Sequence, residues 1–511
     1  MIEENGNTIT LELADDFHPV LKVNGFKIFV YFVFCIAASQ LFYNVINVIS
    51  LLFLVISLVL LLYVLLLGSN TDYFLFLFFN CLIRLTIPFS GEREFSLMLP
   101  VIFLTAIIYK SFLLSIKIKI KKRYLNKVSI SLFFFFLLII VTFFNKFHFP
   151  GGSANSGFLA RWELINTIVI FFSILLTYKS EILDILLEKF YKFYLIVLSV
   201  SLIIVFLNIK KIPIFNTFSW MLIQENSSSK RMIIVGVAGV MAVICILCFE
   251  KFNRKTLLLF LLAILGIIFS GGRSSFLQFF IILFCYWAIK NKILGKAILF
   301  SLLPVSLFIV FSLSPLVSYV PTKFQRLFVI FPSEFYSGSL KKELKNSSAA
   351  SSSNFRYEMW SKAVVEMPDN LLIGKGFGVP KAKYELDKSG MDAFRKISSK
   401  TLTEDFMTTG GLHNTYVSIA FIMGIPAFLF FSYGFIKLII RTYLRSLKLT
   451  EKLKRQMTFF TLILIYYFIK SVISDIYFEL DFFAFLAIIF KTVYIFNGQK
   501  DSLNTEIKIK A

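Results

Sequence analysis

Three residues of this chain carry groups that could move a proton and hold a phosphate. His413 stands in Gly-Gly-Leu-His-Asn-Thr-Tyr, where a long polar segment ends and an apolar run begins. The dipole at a helix start favours a neutral imidazole, which is the form that a general base needs. Arg273 and Arg356 come earlier, and a guanidinium binds phosphate oxygens in a bidentate manner. This combination suggests transfer chemistry on a lipid pyrophosphate at a membrane surface.

Each of these residues also has a purely structural interpretation. Arg273 lies between two glycines and two serines, and such small neighbours let a ligand approach the guanidinium. An arginine at a span end can equally snorkel to lipid headgroups. Arg356 lies one helical turn before Trp360, a residue type that is enriched at membrane interfaces. A lone histidine at a helix start is often a cap, so only the combination favours function.

We predict no metal ion and no cofactor. Residues 374–378 read Gly-Lys-Gly-Phe-Gly, which lacks the Gly-Lys-Ser/Thr ending of a phosphate-binding Walker sequence and indicates a tight turn. The acidic residues of the polar segment do not have a recognised metal-ligand spacing. Arginine side chains could instead neutralise a diphosphate leaving group.

The elements that must position these residues are predicted to be membrane helices. Hydrophobic residues make up 58% of the 511 residues, and apolar runs of about 20 residues recur along most of the chain. We predict an all-α polytopic membrane protein with roughly 12–14 transmembrane helices. The five cysteines all lie in apolar stretches and do not suggest a disulfide or a metal site.

The net charge of +23 is explained by membrane topology rather than by nucleic-acid binding. Lys and Arg cluster between the predicted spans, in four loops that fall on one side: 117–127, 251–255, 290–296 and 441–455. The positive-inside rule makes that side cytoplasmic. Both termini then lie in the cytoplasm, and the polar segment with the candidate residues faces outward.

This topology divides the chain into five parts. They are a cytoplasmic tail (1–26), an N-terminal transmembrane bundle (27–317), a large extracytoplasmic loop (318–411), C-terminal transmembrane helices (412–495) and a cytoplasmic tail (496–511). Within the loop we expect a flexible serine-rich tract at 346–354, followed by a short helix at 355–365. Arg231 and Arg161 are further cations on the outer side.

Three local patterns occur in a fixed order. They are Ser-Gly-Gly-Arg-Ser at 270–274, then Arg356-x-x-x-Trp360 running on to Gly374-x-Gly376-x-Gly378, and last His413-Asn414-Thr415-Tyr416 followed by Gly424-Ile425-Pro426. In this order, over about 230–440, they resemble the O-antigen ligase and O-antigen polymerase family of bacterial membrane glycosyltransferases. The remainder of the chain matches only as hydrophobic spans.

The resemblance implies a GT-C-like fold and a metal-independent, inverting transfer at the outer face of the inner membrane. The donor would be a glycan on undecaprenyl pyrophosphate, and the acceptor lipid A core or another lipid-linked repeat unit. It implies catalytic roles for His413, Arg273 and Arg356. Further predicted substrate-binding residues are Arg231, Arg161, Asn414, Tyr416 and Trp360.

Two other classes of protein remain open from the sequence. A lipid-linked oligosaccharide flippase or another transporter would place polar groups at the bilayer midplane and would often carry inverted repeats. The distinctive polar groups here lie at one predicted face instead. A non-catalytic membrane subunit is the third possibility, which the clustering of arginine and histidine on one side disfavours.

Overall fold

The computed structural model describes most of the predicted helical regions. The described residues are 25–43, 47–83, 127–145, 154–179, 182–209, 233–251, 253–270, 273–293, 306–307, 309–319, 335–336, 341, 348–376, 412–447, 449, 451–474 and 479–496. All regular elements in these ranges are helices, and no strand occurs among them. The all-α prediction is therefore confirmed for the described part of the chain.

The chain forms two compact units, each built from segments that are distant in sequence. Unit 1 comprises Met1–Phe136, Phe158–Met221 and Tyr477–Ala511, and unit 2 comprises Leu137–Gly157 and Leu222–Ile476. The division of the sequence into tails, bundles and loop concerns the membrane side of each segment, and it stays a prediction.

Unit 1 contains the N-terminal helices and the last helix of the chain. They are α1 (Gly25–Tyr43), α2 (Asn47–Leu67), α3 (Asn70–Ile83), the first half of α4 (Lys127–Asn145), most of α5 (Ala154–Thr177), α6 (Leu183–Ile209) and α14 (Leu480–Lys491), which continues into a π-helical turn (Thr492–Phe496).

Aromatic packing around α3 forms the centre of unit 1. Phe74, Phe76, Phe78 and Phe79 are completely buried, so this helix is covered on all of its faces. The ring of Phe78 packs edge-on against Phe485 of α14, with 5.2 Å between the ring centroids. Edge-to-face pairs of this kind add to the free energy gained by burying the rings. Many of the 64 phenylalanines thus have a packing role.

Polar bonds join the end of α14 to the end of α5 inside unit 1. Lys491 is buried, and its Nζ donates to the carbonyl oxygen of Leu175 at 2.7 Å. The hydroxyls of Tyr178 and Thr492 lie 3.1 Å apart. A buried polar group is stable only when it has such partners, so these bonds fix the relative position of the two helices.

Unit 2 contains the candidate residues His413, Arg273 and Arg356. Its helices are α7 (Ile233–Phe249), α8 (Arg254–Phe269), α9 (Arg273–Lys290), α10 (Ser348–Glu366), α11 (Thr415–Met423), α12 (Ile425–Ser446) and α13 (Glu451–Ile473), with 3-10 turns at Pro315–Tyr319 and Met367–Asn370. The buried α7 packs on α8, α9 and α13, and α11 packs on α10, α12 and α13.

Two glycines of α7 allow a close crossing with α8. A Cβ at Gly239 would lie 2.7 Å from the carbonyl oxygen of Ala263, and one at Gly236 would lie 2.8 Å from the Cβ of Ser270. Small residues at such crossings let two helix backbones approach each other. The crossing holds Ser270, which follows the last residue of α8, against the first turn of α7.

Several helices expose aliphatic stripes while they bury polar side chains. Exposed apolar residues recur every three or four positions, as expected for one helix face. They are Leu51, Leu52, Val55, Leu58, Val59 and Leu62 on α2, Leu257, Leu258, Leu261, Leu265 and Ile268 on α8, and Leu429, Tyr433, Ile436, Ile440 and Leu444 on α12. Such large exposed apolar surfaces mark contacts with lipid or with another protein.

By length and composition, the helix α12 is suited to cross a membrane. Its 22 residues are both long enough and apolar enough to span a bilayer. The other apolar helical runs in the described residues are shorter, with 10–17 residues. The predicted total of 12–14 spans is not tested by this observation.

Two sequence predictions about the C-terminal half differ from the structure. The predicted span 412–440 is two helices, since the chain breaks at Gly424, where φ is 91°, and Pro426 then occupies the first turn of α12. The serine tract expected to be flexible is helical from Ser348, because it continues the helix that carries Arg356. Alanine within the tract favours that continuation.

Candidate functional site

His413 lies at the start of α11 in an unusual backbone conformation. Its φ is 54°, in the left-handed region that few side chains adopt without strain. The next residue, Asn414, caps the helix, because its Oδ1 accepts hydrogen bonds from the backbone N–H groups of Tyr416 at 3.0 Å and Val417 at 3.2 Å. The cap fixes the direction of the chain immediately after the imidazole.

Helix α10 supports the segment before His413. Trp360 Nε1 donates a hydrogen bond to the carbonyl oxygen of Leu412 at 2.7 Å. Arg356 is four residues earlier, so both side chains lie on one face of α10. Sequence analysis predicted that Trp360 binds substrate, and the structure gives it a definite contact with the protein backbone.

The Arg356 charge and the burial of the ring set the protonation state of His413. Burial is the larger effect and Arg356 the smaller, and together they lower the pKa of His413 from 6.5 to about 4. The imidazole is therefore neutral at neutral pH and has a lone pair available. The sequence predicted a neutral ring from the helix dipole, but the main physical cause is desolvation.

A titration should detect this low pKa directly. In ¹³C-histidine NMR spectra, His413 should stay neutral until the pH falls to about 4, well below the ordinary value of 6.5. Since protonation opposes the folded state, the stability that the neutral ring contributes should be lost as the pH falls from 6.5 towards 4.

The variant Arg356→Gln provides the matched test of that titration. Removing the guanidinium removes the repulsion of a second positive charge, so the pKa of His413 should rise while staying below 6.5. His413→Asn identifies the signal among the three histidines. A His413 signal that titrates near 6.5 in the unmodified protein would contradict the buried environment.

The glycine turn, residues 371–376, holds the other end of α11. The backbone N–H groups of Lys375 and Gly376 donate to the carbonyls of Phe421 and Ile422 at 2.7 and 2.9 Å. These are carbonyl groups that a helix end leaves without internal partners. The turn itself lies at residues 371–373, slightly before the tight turn predicted at 374–378, and Gly374, where φ is 73°, and Gly376, where φ is 75°, follow it in left-handed conformations.

The polar and aromatic side chains of α11 pack inside unit 2. Thr415 is buried, and its hydroxyl donates to the carbonyl oxygen of Ser474 at 2.8 Å. The ring of Tyr416 lies 6.2 Å from each of the rings of Phe428, Phe431 and Phe468, measured between centroids. The hydroxyl of Tyr416 is buried as well. Its predicted contact with substrate stays a prediction.

Arg273 is the first residue of α9, directly after the glycine pair. Its side chain lies outside the described residues. The flanking serines have packing roles, since Ser270 and Ser275 are both buried and both face Gly236 of α7. Sequence reasoning took these small residues as room for a ligand and missed Gly236.

The remaining candidate cations are only partly described. Arg161 lies within α5, in unit 1, and its side chain is outside the described residues, as is Arg231 altogether. Within the described part of the chain, no group of three His, Cys, Asp or Glu side chains is placed to hold a metal ion.

Helices α9, α10 and α11, with the start of α12, thus belong to one unit that carries Arg273, Arg356 and His413. Residues 257–432 match the O-antigen ligase family. The family predicted from three short patterns is confirmed over this segment, which contains all three residues. O-antigen ligases are bacterial membrane proteins that act in polysaccharide assembly. No curated protein matches the sequence.

Proposed function

We propose that this protein is a multi-pass glycosyltransferase of the bacterial inner membrane that works at the extracytoplasmic face. It would transfer a glycan from undecaprenyl pyrophosphate to a hydroxyl of lipid A core or of another lipid-linked repeat unit. The observation that carries the proposal is a neutral His413 beside Arg356, within the O-antigen ligase segment. The exposed aliphatic stripes and the apolar helices support placement in a membrane. A GT-C-like fold of 12–14 transmembrane helices is part of the proposal.

In the proposed reaction His413 accepts the proton of the acceptor hydroxyl. The hydroxyl oxygen attacks the anomeric carbon of the donor sugar from the face opposite the pyrophosphate, so the configuration inverts. The bond between that carbon and the pyrophosphate oxygen breaks, and the electron pair leaves with the pyrophosphate. Arg356 and Arg273 stabilise the charge that develops on the leaving group.

The low pKa of His413 connects donor binding with catalysis. An imidazole with a pKa of about 4 is a weak base in the free protein. A pyrophosphate that pairs with Arg356 would offset the repulsion that this arginine exerts on the ring and would add negative charge nearby. Both effects raise the pKa of His413, so the base becomes stronger when the donor is bound.

Transfer should not depend on a divalent metal ion if arginines hold the pyrophosphate. Purified protein in proteoliposomes, given a glycan on undecaprenyl pyrophosphate and an acceptor, should form product equally well with and without EDTA, and without any nucleotide sugar. Product is measured by mass spectrometry of the extracted lipids. Loss of transfer on chelation, restored by magnesium or manganese, would replace the arginine mechanism by a metal-assisted one.

Cysteine labelling tests the proposed orientation. Lys375 and Lys255 are both exposed, and the positive-inside rule places them on opposite sides of the membrane. In a background without the five native cysteines, Lys375→Cys in intact cells should react with a membrane-impermeant maleimide. Lys255→Cys should react only after the membrane is opened. The reverse pattern would contradict an active site at the outer face.

A further inference from the structure

The end of α10 and the glycine turn after it expose aliphatic side chains. A helix and turn surrounded by water would expose polar side chains there. The aliphatic edge, as we name it, consists of Val364, Val365, Leu371, Leu372 and Ile373 at the end of α10 and in the glycine turn, and all five are exposed. Val365 is 77% exposed and Leu372 74%. Several large apolar side chains exposed at the end of one helix and in the next turn are typical of a contact with a partner or a lipid.

Helix α10 has one side that is buried in the protein and another that is exposed. Met359 and Ala363 are buried, and Arg356 and Trp360 lie on the same side, towards α11. At about 100° per residue, Val365 falls on the opposite side, and Val364, one turn after Trp360, falls between the two sides.

A charged flank of α10 lies between Val365 and the buried side. It contains the ion pair between Lys362 and Glu358, at 3.0 Å, and Glu366, which pairs with Lys375 of the glycine turn. Exposed aliphatic side chains next to such charges are suited to a membrane interface, where the aliphatic groups enter the lipid and the charges stay among the headgroups.

The position of the aliphatic edge relative to α12 identifies what it contacts. The backbone N–H of Ile425, the first residue of α12, donates to the carbonyl oxygen of Leu371 at 2.8 Å. The backbone of Leu372 packs so closely on Gly424 that a Cβ there would lie 2.6 Å from the carbonyl carbon of Leu372. If α12 crosses the membrane, as its length and composition allow, its first residue lies at a membrane boundary, and so do Leu371 and Leu372 of the aliphatic edge.

We propose that the aliphatic edge docks into the outer lipid leaflet of the membrane. Its side chains enter the boundary between headgroups and acyl chains, while the charged flank stays among the headgroups. Docking would hold α10 against the bilayer, and α10 supports the segment before His413 through Trp360. The site is thereby kept at headgroup depth, where the pyrophosphate of a lipid donor lies. The proposal rests on the membrane placement of α12 and not on glycosyl transfer.

Fluorescence quenching in lipid nanodiscs tests the docking. Single cysteines at Val364, Leu372 and Lys362 are labelled with bimane in the full-length protein that lacks its native cysteines. Lys362 lies on the charged flank two residues from Val364 and is the matched control. Lipids with a doxyl group near the headgroup should quench the Val364 and Leu372 labels about twofold more than the Lys362 label, and aqueous iodide should show the opposite order.

Two results would overturn the proposal. One is equal access of iodide to all three labels with no quenching by the doxyl lipid. The other is protection of the Val364 and Leu372 labels only in discs that hold two protein copies, which would assign the edge to a protein interface. Transfer assays on the same variants separate this proposal from the proposed function. Normal transfer together with a water-exposed edge would contradict only the docking proposal. A docked edge without transfer would contradict only the proposed enzyme activity.

Discussion

Replacing His413 is expected to lower glycan transfer by about 100-fold or more, which is the usual effect of losing a general acid–base group. His413→Ala removes the imidazole that, in the proposed reaction, accepts the proton of the acceptor hydroxyl. The measurement is the rate of transfer from an undecaprenyl-pyrophosphate-linked glycan, at matched amounts of inserted protein. Because the residue is half-buried at a helix start and not in a packed core, the variant should still fold and insert.

A second substitution separates the chemistry of His413 from its backbone conformation. At a φ of 54° alanine is strained, whereas asparagine tolerates the left-handed region. His413→Asn should therefore insert and melt like the unmodified protein and still lose transfer to the same extent. Arg254→Lys, an exposed position at the start of α8, is the control and should be near neutral. Near-normal transfer by His413→Asn would show that His413 is not the base, whereas absence of transfer in the unmodified protein would favour the transporter hypothesis.

The sequence predicted the family segment because its signals are local and ordered. Arg356 and Trp360 are one turn apart, so a helix through them must present both on one face. The apolar run after His413 correctly predicted helix, but its length concealed the break at Gly424. Glycine is common just after a helix end and proline in the first turn of a helix. The pattern Gly424-Ile425-Pro426 could therefore have predicted that break.

Other features could not be predicted because they depend on contacts between distant segments. The hydrogen bond from Trp360 to Leu412 joins two residues that are 52 positions apart in the sequence. Nothing near Trp360 in the sequence indicates that partner, so substrate binding was an equally reasonable interpretation. The packing of Ser270 and Ser275 on Gly236 is of the same kind. Asn414 is different, since an asparagine directly before an apolar helix is a recognisable cap.

Gly374→Ala should be the most damaging small substitution in the described part of the site. Gly374 has a φ of 73°, and an alanine Cβ there would lie 2.5 Å from the backbone nitrogen of Met423, inside van der Waals contact. The neighbouring atoms belong to backbone, which cannot rotate away as a side chain could. Strain and steric overlap together should cost about 3 kcal/mol or more.

Gly374→Ala is expected to displace the end of α11 that follows His413. If the glycine turn separates from Phe421 and Ile422, the helix loses the hydrogen bonds that hold its last carbonyls. A displacement of about 1 Å at a reacting group can cost up to 100-fold in rate, so transfer should fall by tenfold or more. Thermal unfolding in detergent should show a lower midpoint in the same variant.

Lys375→Ala is the matched control for Gly374→Ala, because it changes the next residue of the same turn. Its backbone N–H still donates to Phe421, and the variant loses the exposed ion pair with Glu366, which contributes at most about 1 kcal/mol. It also loses the contact of the ammonium group with the Phe421 ring, 5.3 Å from the ring centroid, which contributes about as little at an exposed site. Lys375→Ala should therefore keep nearly normal stability and transfer. If both variants behave alike, backbone packing of the glycine turn does not position His413. If only Gly374→Ala loses transfer, the close backbone contact at the far end of α11 is part of what positions His413.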